Sequence, residues 1–193
     1  MHPEDCLKVE ELLKIKKFKD YNLILPEESK LITPYFRKVH MITDDSGFLL
    51  EIFSSSNTDW AEEESKLGPT VHCYNRTINP EKQAAGVAGH YHHKKKERFI
   101  VKEGAAICLI QEIIEESTKG NLEAILLHAY APKLEVISEN KRAKILKLPI
   151  MGITPFLAHR IINPLKYTTT DLVVLTQESY NPKDVDTYPA SIV

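Results

Sequence analysis

Apolar residues recur at strong helical spacing in one place, at the start of the chain. Leu7, Leu12, Leu13, Ile15 and Phe18 form a rough stripe that predicts a helix from Pro3 to Lys19. Glu4, Asp5, Glu10 and Glu11 come early in it and Lys14, Lys16, Lys17 and Lys19 late, the order that suits a helix dipole. After Pro26 the pattern changes to short β-branched and aromatic runs broken by turn residues. These predict strands over Lys38–Ile42, Phe48–Phe53, Thr70–Asn75, Gly89–His92, Arg98–Val101 and Ala105–Gln111. Further runs predict strands over Leu122–Tyr130, Leu134–Ile137, Ala143–Leu148, Leu157–Asn163 and Asp171–Thr176. Asp44 to Gly47, Lys102 to Gly104 and Lys119 to Asn121 read as turns. Many short strands without alternating helices imply an all-β antiparallel sandwich or barrel, not a parallel α/β sheet. The expected organisation is a helical appendage over residues 1–30 and one β domain over 31–193.

Within that texture "GHYHHKKKERFIVKEG" places three of the chain's eight histidines in four positions. On a strand, residues i and i+2 share a face, so His90 and His92 point one way and Tyr91 and His93 the other. Glu97 has the parity of Phe99 and Val101 and faces inward if they do. A short turn between His92 and Glu97 therefore brings two imidazoles and a carboxylate to a common point. His159, in the apolar run "TPFLAHRIIN", is the candidate fourth ligand from across the barrel. Such a mixed N/O set suits several divalent metals and does not choose among zinc, iron, manganese and nickel; zinc is the favoured expectation. An isolated His-x-His is more often a pair of surface histidines; it is Glu97 and His159 that favour a ligand set. Lys94, Lys95 and Lys96 read first as a solvated hairpin tip and alternatively as a phosphate contact.

Composition narrows the partners. Twenty-five Lys+Arg against twenty-seven Asp+Glu leave a net charge of −2, without the basic excess that nucleic-acid binding or membrane-surface binding usually shows. Cys6, Cys73 and Cys108 are odd in number and widely spaced, which fits a reducing, cytoplasmic setting better than a disulfide framework. No apolar run approaches the length of a membrane span.

The histidine stretch resembles the first motif of the cupin superfamily. His90, His92, Glu97 and Gly104 match its HxH, Glu and Gly positions, with Ala84 where an earlier Gly is usual. The second motif is met by His159 and Asn163, with the Pro displaced to Pro155 and Phe156 at the Gly position. "AGHYHHKKKERFIV" and "TDLVVLTQESYNPKDVDTYP" are similar to the C-terminal cupin domain of bifunctional capsular-polysaccharide enzymes that process UDP-linked deoxyamino sugars. The likeness to dTDP-4-dehydrorhamnose 3,5-epimerases is more distant. The resemblance covers Asp44 to Pro189 and implies a double-stranded β-helix (cupin jelly roll) and a homodimer. It also implies a nucleotide-linked 4-keto sugar as substrate, epimerised or isomerised in polysaccharide biosynthesis. Rhamnose-type epimerases have a lysine where this chain has Glu97, so a metal on His90, His92, Glu97 and His159 would replace that cation.

For the proton transfer, His72, Tyr74, Tyr91 and Tyr130 are candidates; for a diphosphate, Arg76 or a lysine of the triplet, Lys94 and Lys96 included. Two alternatives stand beside the epimerase: a metal-dependent dioxygenase, and a non-catalytic cupin that binds a sugar or metabolite. Trp60, the one tryptophan, falls in the polar stretch "SSSNTDWAEEE" and is a candidate lid or dimer contact.

Overall fold

The structure, a computed structural model, describes residues 1–44, 47–51, 65–84, 89–115, 118–129, 138–139, 143–179, 181–183 and 185–192. For 33–44, 47–51, 83–84, 138–139 and 143–149 only the backbone is described. The expected strand over Leu134–Ile137, the Tyr130 end of its predecessor and Trp60 lie outside the described residues.

The helix α1 runs Pro3–Ile15, not to Lys19. Proline opens it, where no intrahelical donor is needed, and Lys16 closes it at φ 50° with its N–H on the Leu12 carbonyl at 2.9 Å. The stripe stops there because the next residues must reverse. Strand β1 (Lys17–Phe18) pairs antiparallel with β2 (Tyr21–Ile24), and Lys19 takes a left-handed conformation between them.

The remaining strands are β3 (Thr33–Asp44), β4 (Gly47–Glu51), β5 (His72–Ile78), β6 (Gln83–Ala84), β7 (His90–Tyr91), β8 (Glu97–Glu103) and β9 (Ala105–Glu115). They continue with β10 (Thr118–His128), β11 (Ser138–Glu139), β12 (Ala143–Ile153), β13 (Leu157–Ile162), β14 (Thr170–Thr176) and β15 (Tyr188–Pro189). Among the described residues they form two sheets. One is ordered β1-β2-β10-β9-β13-β7-β15, with β6 also on β13; the other is β4-β3-β12-β8-β14-β5, with β11 also on β12. Pairing is antiparallel except where β2 joins β10, Leu23 opposite Ala124 and Ile24 opposite Ile125.

Strand β9 shows how the layers are built. Residues 105–110 are all buried, so the run reads as continuous hydrophobicity, because its sheet is covered on both faces. Ala106, Cys108 and Ile110 pack between the sheets with Phe99, Ile125 and Val174. Ile107 and Leu109 pack on the opposite face with Leu12 of α1 and Ile192 near the C-terminus. Val9 of the same helix meets Ala105 and Leu165. Among the described residues no helix is long and apolar enough to cross a membrane.

Candidate metal centre and its pocket

Four side chains meet where the two sheets face each other. His90 on β7 lies directly opposite His159 on β13. His92 follows one residue past β7, and Glu97 opens β8 in the other sheet, flanked by Ile153 and Thr176. The turn between His92 and Glu97 thus carries the chain from one sheet to the other and delivers a ligand to each side. One donor atom from each of His90, His92, Glu97 and His159 lies within 4.8 Å of the others, an arrangement that could hold a metal ion.

The tautomers follow from hydrogen bonding. His92 Nδ1 contacts the Asp186 carbonyl oxygen, and His159 Nδ1 lies 3.1 Å from the Leu157 carbonyl oxygen. A carbonyl only accepts, so each Nδ1 carries a proton, and in the neutral ring each Nε2 presents a lone pair inward. Those Nε2 atoms stand 3.4 Å (His92) and 3.1 Å (His159) from Glu97 Oε2, yet both are buried without a hydrogen-bond partner among the described residues. Acceptors converging on one buried point repel unless a cation lies among them. That donor set fits a divalent metal and is the chemistry that carbonyl-anchored imidazoles present to one.

The electrostatics agree. Burial, reinforced by His159 and His92, lowers the pKa of His90 to about 3, which leaves a neutral imidazole free to ligate. Lys95 Nζ lies 3.3 Å from the other carboxylate oxygen, Glu97 Oε1.

A pocket of about 110 Å³ opens beside the cluster, lined by Tyr74 and Arg76 of β5, by His90, Glu97 and His159, and by apolar walls that include Phe99 and Leu172. Burial, then the Glu97 charge, raises the Tyr74 phenol far above its ordinary value. Arg76 shares the inward face of β5 with Tyr74 by strand parity.

The other candidates lie elsewhere. His72 is half-buried with its ring 5.7 Å from that of Tyr74 and does not line the pocket. Tyr91 faces the opposite side, against Tyr188. Tyr130 is outside the described residues. Lys94 is exposed, and Lys96 Nζ donates to the Lys66 carbonyl at 2.8 Å. His93 stacks on Tyr188 at 3.9 Å, away from the cluster. Of the lysine triplet it is Lys95 that reaches the site. Asp186 falls in the quoted tail stretch "NPKDVDTYP", but nothing in it signals a contact with His92.

No family model and no curated protein matches the chain. Solved structures do. A dTDP sugar isomerase from Desulfovibrio desulfuricans superposes with a TM-score of 0.54 at 14% identity, over 86% of this chain and 87% of its own. ChmJ, a 3'-monoepimerase from Streptomyces bikiniensis solved in complex with dTDP-quinovose, gives 0.52 at 13% identity, over 83% and 71%. The fold is a cupin jelly roll. The capsular polysaccharide assembling protein CapF from Staphylococcus aureus also matches, with a TM-score of 0.47 and 18% identity; the alignment covers 62% of this chain and 26% of CapF. At these identities the likeness is one of fold, and the four-ligand cluster of this chain stands on its own geometry.

Proposed function

We propose that this cupin is a metal-dependent epimerase or isomerase of a nucleotide-linked 4-keto sugar. The observation that carries the reading is the convergence of three imidazoles and one carboxylate at the wall of a pocket that also holds Tyr74 and Arg76. The names of the two structures above, a dTDP sugar isomerase and a monoepimerase complexed with dTDP-quinovose, support the substrate class.

His90, His92, Glu97 and His159 would hold the ion, with zinc the first choice for a mixed N/O set. When bound, a divalent ion supplies Lewis-acid stabilisation of negative charge on a carbonyl oxygen, worth several kcal/mol of barrier. The chain's own residues supply a proton donor, orient the carboxylate and line the pocket. The Tyr74 hydroxyl, beside Glu97, holds a proton that it can return to a carbanion α to the ketone. Lys95 holds one Glu97 oxygen, so the carboxylate keeps its orientation. Phe99, Ile161, Leu172 and Val174 keep water from the reacting carbon, and the Arg76 guanidinium at the pocket suits a diphosphate fork.

The test pairs metal content with exchange chemistry. Purified protein is assayed for bound metal by mass spectrometry, then incubated in D₂O with UDP- and dTDP-4-keto sugars and scored for deuterium at carbon. Bound metal and α-deuteration support the reading. A metal-loaded protein that deuterates none of them overturns it; oxygen consumption with iron or manganese would put a dioxygenase in its place. A ligand that raises the melting temperature without being converted would put a binding module there.

A further inference from the structure

The residue that assembles the turn between the two sheets comes from the other end of the chain. Asp186 Oδ1 accepts the His93 N–H at 2.8 Å, and Oδ2 accepts those of Lys94 at 2.9 Å and Lys95 at 2.8 Å. The carbonyl of the same residue takes the Nδ1 proton of His92. Immediately afterwards the tail docks as a strand, Tyr188 opposite Tyr91 and Pro189 opposite His90, and the Ala190 N–H reaches the Gly89 carbonyl at 3.2 Å. Ile192 then buries against the outer face of the sheet.

We propose that Asp186 is a positioning residue: its carboxylate shapes the His93–Lys95 turn while its carbonyl fixes the tautomer and orientation of His92. A carboxylate that braces three turn amides is a common structural device. What separates this one is that its own main-chain oxygen sits on a ligand ring, so a shift of the brace moves the ring with it. The braced turn joins a ligand of one sheet to a ligand of the other, and it places Lys95 over Glu97 Oε1 at 3.3 Å. Losing the brace therefore disturbs His92 and Glu97 together. The inference rests on the metal-site reading above in its first assay and is independent of it in its second.

Asp186→Asn keeps the shape of the side chain but turns one acceptor into an NH₂ donor that faces a backbone N–H. The first assay titrates Co²⁺ into the whole 193-residue chain and follows its visible absorption. The variant is expected to bind about 10–100-fold more weakly, the usual cost of removing a partner that orients a ligand. Asp5→Asn, which removes a similar three-amide clamp at Lys166–Thr168, should leave Co²⁺ affinity unchanged. The second assay reads the metal-free protein by two-bond ¹H–¹⁵N correlation of the imidazoles. Wild type should show His92 protonated at Nδ1, and Asp186→Asn a mixture of tautomers. Affinity within about twofold of wild type together with an unchanged tautomer overturns the proposal. So does a wild-type His92 protonated at Nε2, a result that needs no folded variant. A wild type that binds no Co²⁺ defeats the metal reading, and the tautomer comparison still decides this one.

Discussion

Replacing Asp5 by Asn tests how α1 is held to the barrel, and its size can be worked from the contacts. Asp5 is 1% exposed. Its Oδ1 accepts the Lys166 N–H at 2.9 Å, and Oδ2 accepts those of Tyr167 at 3.1 Å and Thr168 at 2.7 Å. An asparagine offers one acceptor. Whichever way the amide turns, its NH₂ faces either the Lys166 amide or the other two. The smaller loss is one hydrogen bond to a charged acceptor, about 1.5–3 kcal/mol, with the surviving pair weakened because the acceptor is now neutral. A destabilisation of roughly 3 kcal/mol follows, or about 6–12 °C in melting temperature for a chain of this size.

The pH dependence supplies the sharper check. Burial pushes the Asp5 carboxyl up, but the Lys166 amide, the Thr168 hydroxyl and the remaining two amides more than offset it and lower its pKa below 3.8. A carboxyl depressed in the folded state contributes stability above its unfolded pKa and loses it as pH falls through the folded value. The gap between wild type and Asp5→Asn should therefore be full at pH 7 and shrink below about pH 4, as the wild-type carboxyl protonates. Urea unfolding at pH 7 and at the lowest pH where wild type stays folded measures both. A gap under about 1 kcal/mol at pH 7, or one that persists undiminished in acid, would refute the reasoning.

The other expectations concern the site and the barrel. His159→Ala should reduce bound metal, measured by mass spectrometry, from near one equivalent to near none, whereas His93→Ala, whose ring stacks on Tyr188 instead, should keep it. Tyr74→Phe should leave metal content unchanged and slow α-deuteration by about 10²–10⁴-fold, the usual worth of a positioned acid or base. Gly104 sits at φ 79°, and a methyl group added to its Cα would lie only 2.5 Å from the Thr169 carbonyl oxygen, so Gly104→Ala should cost at least about 2 kcal/mol and lower the melting temperature by about 4–8 °C in calorimetry. Cys108 is fully buried and its thiol is pushed up by desolvation, so a thiol reagent should label exposed Cys73 in the native protein and Cys108 only on unfolding.

What was legible in the sequence was what strand parity and short turns encode. His90 and His92 share a face because of a two-residue period, and Glu97 follows from the parity of Phe99 and Val101; no long-range knowledge is needed for either. His159 could be proposed from its apolar run, but its place opposite His90 is a matter of register between strands that are distant in sequence. The end of α1 was misjudged because the stripe to Phe18 is a local signal, whereas the reversal at Lys16 serves a distant one, the pairing of Leu23 and Ile24 with β10. Asp186 is the extreme case. The group it orients lies 94 residues earlier, and part of its action runs through a main-chain carbonyl, which every residue possesses and no motif can mark. Ligand identity in such a site is therefore local information and can be read along the chain. Ligand orientation is held by backbone atoms brought from elsewhere, and it exists only once the two sheets and the tail have come together.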